Sequence, residues 1–97
     1  MWIGWIEFDL IIEQASSLKE KRAVVKPLVA DLRQFGVSVA EVDHLDRHRR
    51  CGIGVAAVSP DRSHLVDLLD RCERTVAARW DTQLLRAERT LRRSTDV

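Results

Sequence analysis

The residues whose types and spacing most suggest binding chemistry are cations at the start of a predicted helix and in a predicted hairpin further along the chain. Cations at the amino end of a helix oppose its macrodipole, so stability alone does not favour a run of them there. Together with the free N–H groups of the first turn, they favour binding of a phosphate. The predicted phosphate contacts are Lys19, Lys21, Arg22, Lys26, Arg47, Arg49 and Arg50. A solvated basic face is the alternative interpretation.

A second candidate for chemistry is the segment from residue 44 to residue 48. His44, Asp46 and His48 occupy alternate positions, which share one side of an extended strand. Imidazole and carboxylate ligands suit Zn²⁺ or another divalent metal. The segment is predicted to be a polar turn, however, and alternate side chains of a turn need not converge. We favour the turn and assign no metal site, while metal binding by these three residues stays an open hypothesis.

The two cysteines and one pair of carboxylates are the remaining candidates for catalysis. Cys72 falls on the apolar stripe of a predicted helix, which favours packing, and no general base is indicated near Cys51. Glu7 and Asp9 share one face of a predicted strand, where pairing with arginines of neighbouring strands is favoured over acid–base chemistry. The chain has neither a G-x-S-x-G motif nor a glycine-rich nucleotide loop. We predict no enzyme activity, no catalytic residue, no cofactor and no small-molecule substrate.

The first twelve residues predict a strand with two different faces. Apolar side chains at the even positions form one of them. The odd positions include Trp5, Glu7 and Asp9, and the acids exclude that face from being a second core. Trp5 is therefore expected on an open face of the sheet, where a base or a partner protein can contact it. We predict that Trp5, Glu7 and Asp9 form an interface.

The first predicted helix carries the basic cluster. Ser17 and Glu20 form a capping box, and apolar residues then repeat at intervals of three and four as far as Phe35. Gly36 is expected to end the helix, as glycine commonly does. Pro27 lies inside this pattern and predicts a kink, because proline removes a backbone hydrogen bond.

The rest of the chain completes a small two-layer domain. The predicted segments are strands at 37–42, 49–58 and 81–91 and a helix that begins at 59–61. The order βαββαβ with right-handed crossovers is that of a ferredoxin-like α+β sandwich, in which two helices cover one face of a four-stranded antiparallel sheet. Residues 1–93 are predicted to form this single domain, and residues 94–97 a disordered tail.

The composition is that of an ordinary globular domain. Of the 97 residues, 45% are hydrophobic and 32% are charged, and the net charge of +1 provides no overall basic field to attract nucleic acid. No apolar run approaches the roughly 18–20 residues of a membrane span, and no signal peptide is indicated. Two cysteines are too few for a disulfide framework. A cytoplasmic protein without a membrane partner is the expectation.

Four short motifs stand out from this otherwise general pattern: S-L-K-E-K-R at 17–22, V-V-K-P-L at 24–28, V-S-V-A-E-V at 37–42 and S-P-D-R at 59–62. Together they closely resemble the YlxP-like family of small bacterial proteins of unknown function, over about residues 1–91. The resemblance implies a ferredoxin-like fold. Genes of the family often lie in the operon of translation initiation factor two and ribosome-binding factor A, which implies, by association, a role around ribosome maturation or RNA. The resemblance supplies no catalytic residues.

The leading hypothesis is therefore a non-enzymatic accessory protein that contacts ribosomal RNA or the ribosome. The predicted cations would bind nucleic-acid phosphates. The alternative is a homo-oligomeric interaction module, a homodimer in the simplest case, in which Trp5, Glu7 and Asp9 contact a second copy of the chain.

Overall fold

Four strands and two long helices build the domain, and the computed structural model describes all 97 residues. The elements are β1 Trp2–Ile11, α1 Leu18–Arg33, β2 Ser38–Asp43, β3 Arg50–Ser59, α2 Arg62–Ala77 and β4 Gln83–Arg93. The strand order is β2-β3-β1-β4, and every neighbouring pair is antiparallel. This arrangement confirms the predicted ferredoxin-like α+β fold. Neither helix is both long and apolar enough to cross a membrane.

One core lies between the sheet and the two helices. Among the even-numbered residues of β1, Ile6, Phe8 and Leu10 are fully buried, as the alternation predicts, and Trp2 at the start of the strand is partly buried. Leu28 of α1 and Leu69 of α2 contribute to the same cluster of 17 buried residues. Each such side chain adds about 1.5–3 kcal/mol to the free energy of unfolding when it is fully buried. The odd-numbered residues of β1 and their cross-strand neighbours form the opposite side of the sheet, which we call the open face.

At the start of α1 the Ser17 half of the predicted capping box forms, whereas the Glu20 carboxylate accepts from the Ser16 hydroxyl instead of from the Ser17 N–H; the end of the helix differs slightly from the prediction. The Ser17 hydroxyl accepts the Glu20 N–H at 3.1 Å. The helix ends at Arg33, two residues before the predicted end, because tighter hydrogen bonds that span three residues close its last turn. Gly36 follows with a φ of +78°, where glycine is free of strain. Pro27 is exposed and α1 continues through it, since water can bond the carbonyl that lacks an N–H partner.

The last strand has the predicted length of 11 residues but lies two residues further along the chain, at Gln83–Arg93 instead of 81–91. β4 continues to Arg93 rather than Leu91, and a bulge opposite Asp9 and Leu10 interrupts its pairing with β1. The segment 94–96, predicted to be disordered, instead forms one 3-10 turn. The Ser94 N–H donates to the Met1 carbonyl at 2.9 Å, which extends the pairing of β4 with β1 and holds the start of this segment.

Candidate nucleic-acid interface

Three loops meet at one end of the sheet, where β1 ends and both β3 and β4 begin. They are the β1–α1 loop (12–17), the β2–β3 turn (44–49) and the α2–β4 loop (78–82), and with the first turns of α1 they form what we call the hairpin end. The Arg49 Nε donates to the Ala15 carbonyl at 3.3 Å, and the Ile12 N–H donates to the Arg49 carbonyl at 2.9 Å. The structure therefore brings together the two basic segments that the sequence separates.

Five of the seven predicted cations are exposed at this end. Lys19, Arg22 and Lys26 follow one another at intervals of three and four residues, so they lie on one stripe of α1. Arg47 and Arg49 are exposed on the neighbouring turn. None of the five forms an ion pair with a carboxylate, in contrast to Arg50, Arg79, Arg86 and Arg89. Their positive charge is consequently available to a ligand.

Lys21 is not available, and the prediction that it contacts phosphate is wrong. Only 2% of the residue is exposed. Its Nζ lies 2.6 Å from a Glu41 carboxylate oxygen and donates to the His44 carbonyl at 2.7 Å. The position belongs to the buried stripe of α1, four residues before Val25 and seven before Leu28. Lys21 therefore ties the start of α1 to the hairpin of β2 and β3 instead of binding a ligand.

Arg50 lies on the open face and is occupied by a carboxylate. Its Nη2 donates to both oxygens of Asp9 at 2.7 and 2.8 Å, which confirms the predicted pairing of Asp9 with a neighbouring arginine. The hydrogen bond to Asp9 raises the pKa of Arg50 above its ordinary value. A phosphate would have to displace Asp9, so Arg50 is a weaker candidate than the five free cations.

The other predicted interface residues also lie on the open face. Glu7 stands directly opposite Glu88 and has no ion-pair partner, so its predicted pairing with an arginine is wrong. Glu88 is instead paired with Arg86 on its own strand. Trp5 is half-buried beside a shallow, mainly apolar hollow, which Ala40, Val42 and Ala56 of β2 and β3 line together with the polar residues Glu7 and Ser38. The open face thus has a charged half and an apolar half.

The end of β2 folds over the open face because β3 carries a glycine beneath it. A Cβ added at Gly52 would lie 2.6 Å from the Cβ of Asp43, so no other residue fits there without movement of the backbone. His44 follows in the left-handed region with a φ of +57°, and its N–H donates to the Asp43 carboxylate at 2.8 Å. Its Nε2 lies 3.8 Å from oxygens of Asp9 and of Asp43.

The arrangement proposed for a metal at 44–48 does not form. No three histidine, cysteine, aspartate or glutamate side chains lie in a geometry that could hold a metal ion, and this includes His44, Asp46 and His48. The residues follow the turn, and His44 is turned toward the open face, away from the strand geometry that the hypothesis requires.

Both thiols are buried, which agrees with packing rather than nucleophilic chemistry. Burial, together with the smaller effect of the nearby Glu41 carboxylate, raises the pKa of Cys51 to about 12. Burial also raises the pKa of Cys72 above its ordinary value. A thiol with a raised pKa is protonated at neutral pH and is therefore a poor nucleophile.

Trp80 is a candidate that the sequence interpretation missed. It lies in the α2–β4 loop and is 89% exposed, the most exposed large hydrophobic side chain of the chain. It borders a hollow at the hairpin end, whose other residues are Ile11, Glu13, Gln14, Asp81, Thr82 and Gln83. The available signal was its position after the last apolar residue of α2, where neither the helical nor the strand period accounts for an aromatic residue.

Comparison with known proteins places the chain in a family. Residues 3–89 match the family model described as "Protein of unknown function (DUF503)". The uncharacterized protein YlxP of Bacillus subtilis is 44% identical over 61 residues, which cover 62% of this chain and 66% of that protein, slightly less than two thirds. A mutant of SnoaB, a cofactor-independent oxygenase from Streptomyces nogalater, has a similar fold.

The SnoaB structure aligns with a TM-score of 0.50 and 13% identity, over 96% of this chain and 92% of that one. Identity this low shows a common fold and nothing about activity. The family match, by contrast, extends over nearly the whole domain, and the Bacillus relative supports the resemblance to the YlxP-like family. This chain belongs to the DUF503 family of proteins of unknown function, whose relatives include YlxP.

Proposed function

We propose that this protein is a non-enzymatic accessory protein that binds RNA, with ribosomal RNA or the ribosome as its partner. The single observation that carries the proposal is the set of five exposed, unpaired cations at the hairpin end. They come from two segments of the chain, and they outnumber the exposed acids of the same segments, which are Glu13, Glu20 and Asp46.

The stripe of three cations on α1, Lys19, Arg22 and Lys26, supports the same proposal, because their spacing destabilises the protein when no ligand is bound. Like charges spaced by three or four residues repel one another by a few tenths of a kcal/mol, and Lys19, in the first turn of α1, also opposes the helix macrodipole. The structure offers no intramolecular partner that compensates Lys19, Arg22 or Lys26. A polyanion that runs along this stripe removes both penalties, because its phosphates lie between the cations and the positive end of the helix.

The proposal predicts strongly salt-dependent binding of RNA. Five phosphate contacts to a single strand give a slope of about −3.5 for log K against log salt, or about 100-fold weaker binding at 200 mM than at 50 mM salt. Fluorescence anisotropy of a labelled, unstructured ribo-oligonucleotide derived from ribosomal RNA measures this slope. The variant Lys19→Ala with Arg22→Ala should reduce the slope to about −2 and weaken binding at every salt concentration.

A matched variant separates these contacts from a general effect of charge. Arg33→Ala with Arg71→Ala removes the same charge from exposed positions that have no ion pair, at the far end of α1 and on α2. This control should bind like the wild type. RNA affinity that does not depend on salt concentration, or an equal loss of affinity in both double variants, contradicts the proposal.

A second candidate function is self-association through the open face. The charged residues of this face favour a second copy of the chain as the partner that covers it. Glu7 and Arg92 both lie on this face without an ion-pair partner, on opposite sides of the row that contains Trp5. A twofold axis near Trp5 brings Glu7 of one copy close to Arg92 of the other. The apolar hollow beside Trp5 would then be covered by the same hollow of the second copy.

Self-association predicts a dimer in sedimentation at micromolar concentration. Val42→Lys places a charge in the apolar hollow, where Val42 is 51% exposed, and should shift the protein to a monomer. Leu45→Lys is the control, because Leu45 is 63% exposed on the neighbouring turn outside the hollow. A wild-type protein that remains a monomer at these concentrations excludes this candidate.

A further inference from the structure

We propose that Trp80 is a base-stacking residue and that the RNA bound at the hairpin end is single-stranded. The inference rests on the proposed RNA-binding function, which it deepens by assigning the class of RNA and a second type of contact. It is carried by an exposed aromatic side chain beside a polar hollow, at the same end of the molecule as the five free cations.

The exposure of Trp80 has no structural explanation within the chain. Complete burial of a large aromatic side chain contributes several kcal/mol to stability, and at 89% exposure nearly all of this is forgone. The other two tryptophans differ: Trp2 packs against the core with Arg62 and Arg93 over its ring, and Trp5 is half-buried. Trp80 therefore presents an unused ring to solvent.

The residues that line the hollow next to Trp80 can bind a nucleobase. Ile11 contributes an apolar surface, and the exposed carboxamides of Gln14 and Gln83 can each donate and accept hydrogen bonds with a base edge. The exposed carboxylate of Glu13 also lines this hollow. This carboxylate repels a phosphate, but its oxygens can accept a hydrogen bond from the exocyclic amino group of a base. A base of the bound RNA is therefore expected in the Trp80 hollow, and the RNA phosphates are expected at the five cations of the hairpin end.

The β1–α1 loop connects the two parts. Glu13 and Gln14 lie beside the Trp80 hollow, Ala15 is bonded to Arg49, and α1 with Lys19 begins three residues later. A strand whose phosphates follow the cations can therefore present a neighbouring base to Trp80. In a duplex the bases are stacked on one another and cannot reach an aromatic ring, so stacking selects a single strand.

Binding and fluorescence together test this inference. Trp80→Ala should weaken binding of the unstructured ribo-oligonucleotide by about 5- to 150-fold, the range measured for loss of one base–aromatic stack, while leaving binding of an RNA duplex unchanged. Trp80→Phe should restore part of the affinity, because it keeps a ring. Leu45→Ala removes another exposed hydrophobic side chain from the same end and should bind like the wild type.

A direct signal comes from a variant that carries only one tryptophan. With Trp2→Phe and Trp5→Phe, the fluorescence reports Trp80 alone and should be quenched by the ribo-oligonucleotide, and the bound form should be protected from iodide. Melting temperatures confirm that each variant is folded, and Trp80→Ala should melt like the wild type because its ring is exposed.

The outcomes separate this inference from the proposed function. If Trp80→Ala binds like the wild type while Lys19→Ala with Arg22→Ala binds weakly, the stacking role is wrong and RNA binding stands. An equal loss for single-stranded and duplex RNA also overturns stacking. If the wild type binds neither RNA, the proposed function fails, and the stacking role fails with it.

Discussion

Lys21→Ala should lower the free energy of unfolding by about 3–5 kcal/mol, which is the usual effect of removing one partner from a buried ion pair. The Lys21 side chain is 3% exposed and its partner Glu41 is 23% exposed. Loss of the ammonium leaves the Glu41 carboxylate with no cation and the His44 carbonyl with no donor. Equilibrium denaturation with urea measures the change directly.

Two further variants identify the cause of this loss. Lys19→Ala removes a cation from the same turn of α1 but from the exposed stripe, and it should change stability by no more than about 0.5 kcal/mol. Lys21→Met with Glu41→Leu removes both charges and keeps apolar volume, so it should recover much of the lost stability. A loss below about 1 kcal/mol for Lys21→Ala would show that the pair contributes little.

Lys21 also determines which variants can report on RNA binding. Its side chain holds the start of α1 against the β2–β3 hairpin, so its removal perturbs the positions of both basic segments at once. A loss of RNA affinity in a Lys21 variant would have two inseparable causes, the missing cation and the disturbed structure. The exposed pair Lys19 and Arg22 avoids this difficulty, because alanine is the best helix former at exposed positions of a helix.

The second large effect is expected in the reactivity of the thiols. At pH 8 a thiol with a pKa of about 12 is ionised to about one part in 10⁴, whereas a thiol with the ordinary pKa of 9.0 is ionised to about one part in ten. Ionisation alone therefore slows modification of Cys51 about 1000-fold, and complete burial slows it further. Ellman's reagent should detect no fast thiol in the native protein and two after unfolding in guanidinium.

The contribution of Cys51 to stability depends on pH, because the pKa of its thiol is higher in the native state than in the unfolded chain. Burial favours the neutral thiol, so the native state keeps the Cys51 proton above the pH at which the unfolded chain releases it. The protonated thiol therefore supports stability fully below pH 9, and this contribution is lost as the pH rises toward 12. Cys51→Ala and Cys72→Ala, studied singly, assign each thiol. One rapidly reacting thiol in the native protein at pH 8 would contradict the prediction.

Much of the fold was predictable because its signals are local. Ile6 and Phe8 alternate with Glu7, and Leu28 and Leu32 share one stripe of α1, so the buried faces follow from periods of two and of three to four residues. The Ser17 cap likewise depends only on the N–H group three residues ahead. Such features need no knowledge of distant contacts.

The candidate site was predictable only in part. The exposed cations and Trp5 lie where the pattern puts them, but Lys21 and Lys19 are two residues apart and carry the same charge in the sequence. The helical period places Lys21 on the buried stripe of α1, and Glu41 and His44, twenty and twenty-three residues further on, supply the partners that keep its charge there. Glu7 was expected to meet an arginine, and the register of β4 places Glu88 opposite it instead.

By itself, the amino-acid sequence determined the two-layer fold, the faces of its helices and the family, since periodicity and short motifs act over a few neighbouring residues. Only the tertiary structure decided which cations are free, because an ion pair depends on where distant segments meet. It also placed Trp80 beside those cations. An exposed side chain makes no packing contact, so no period of the sequence records its position.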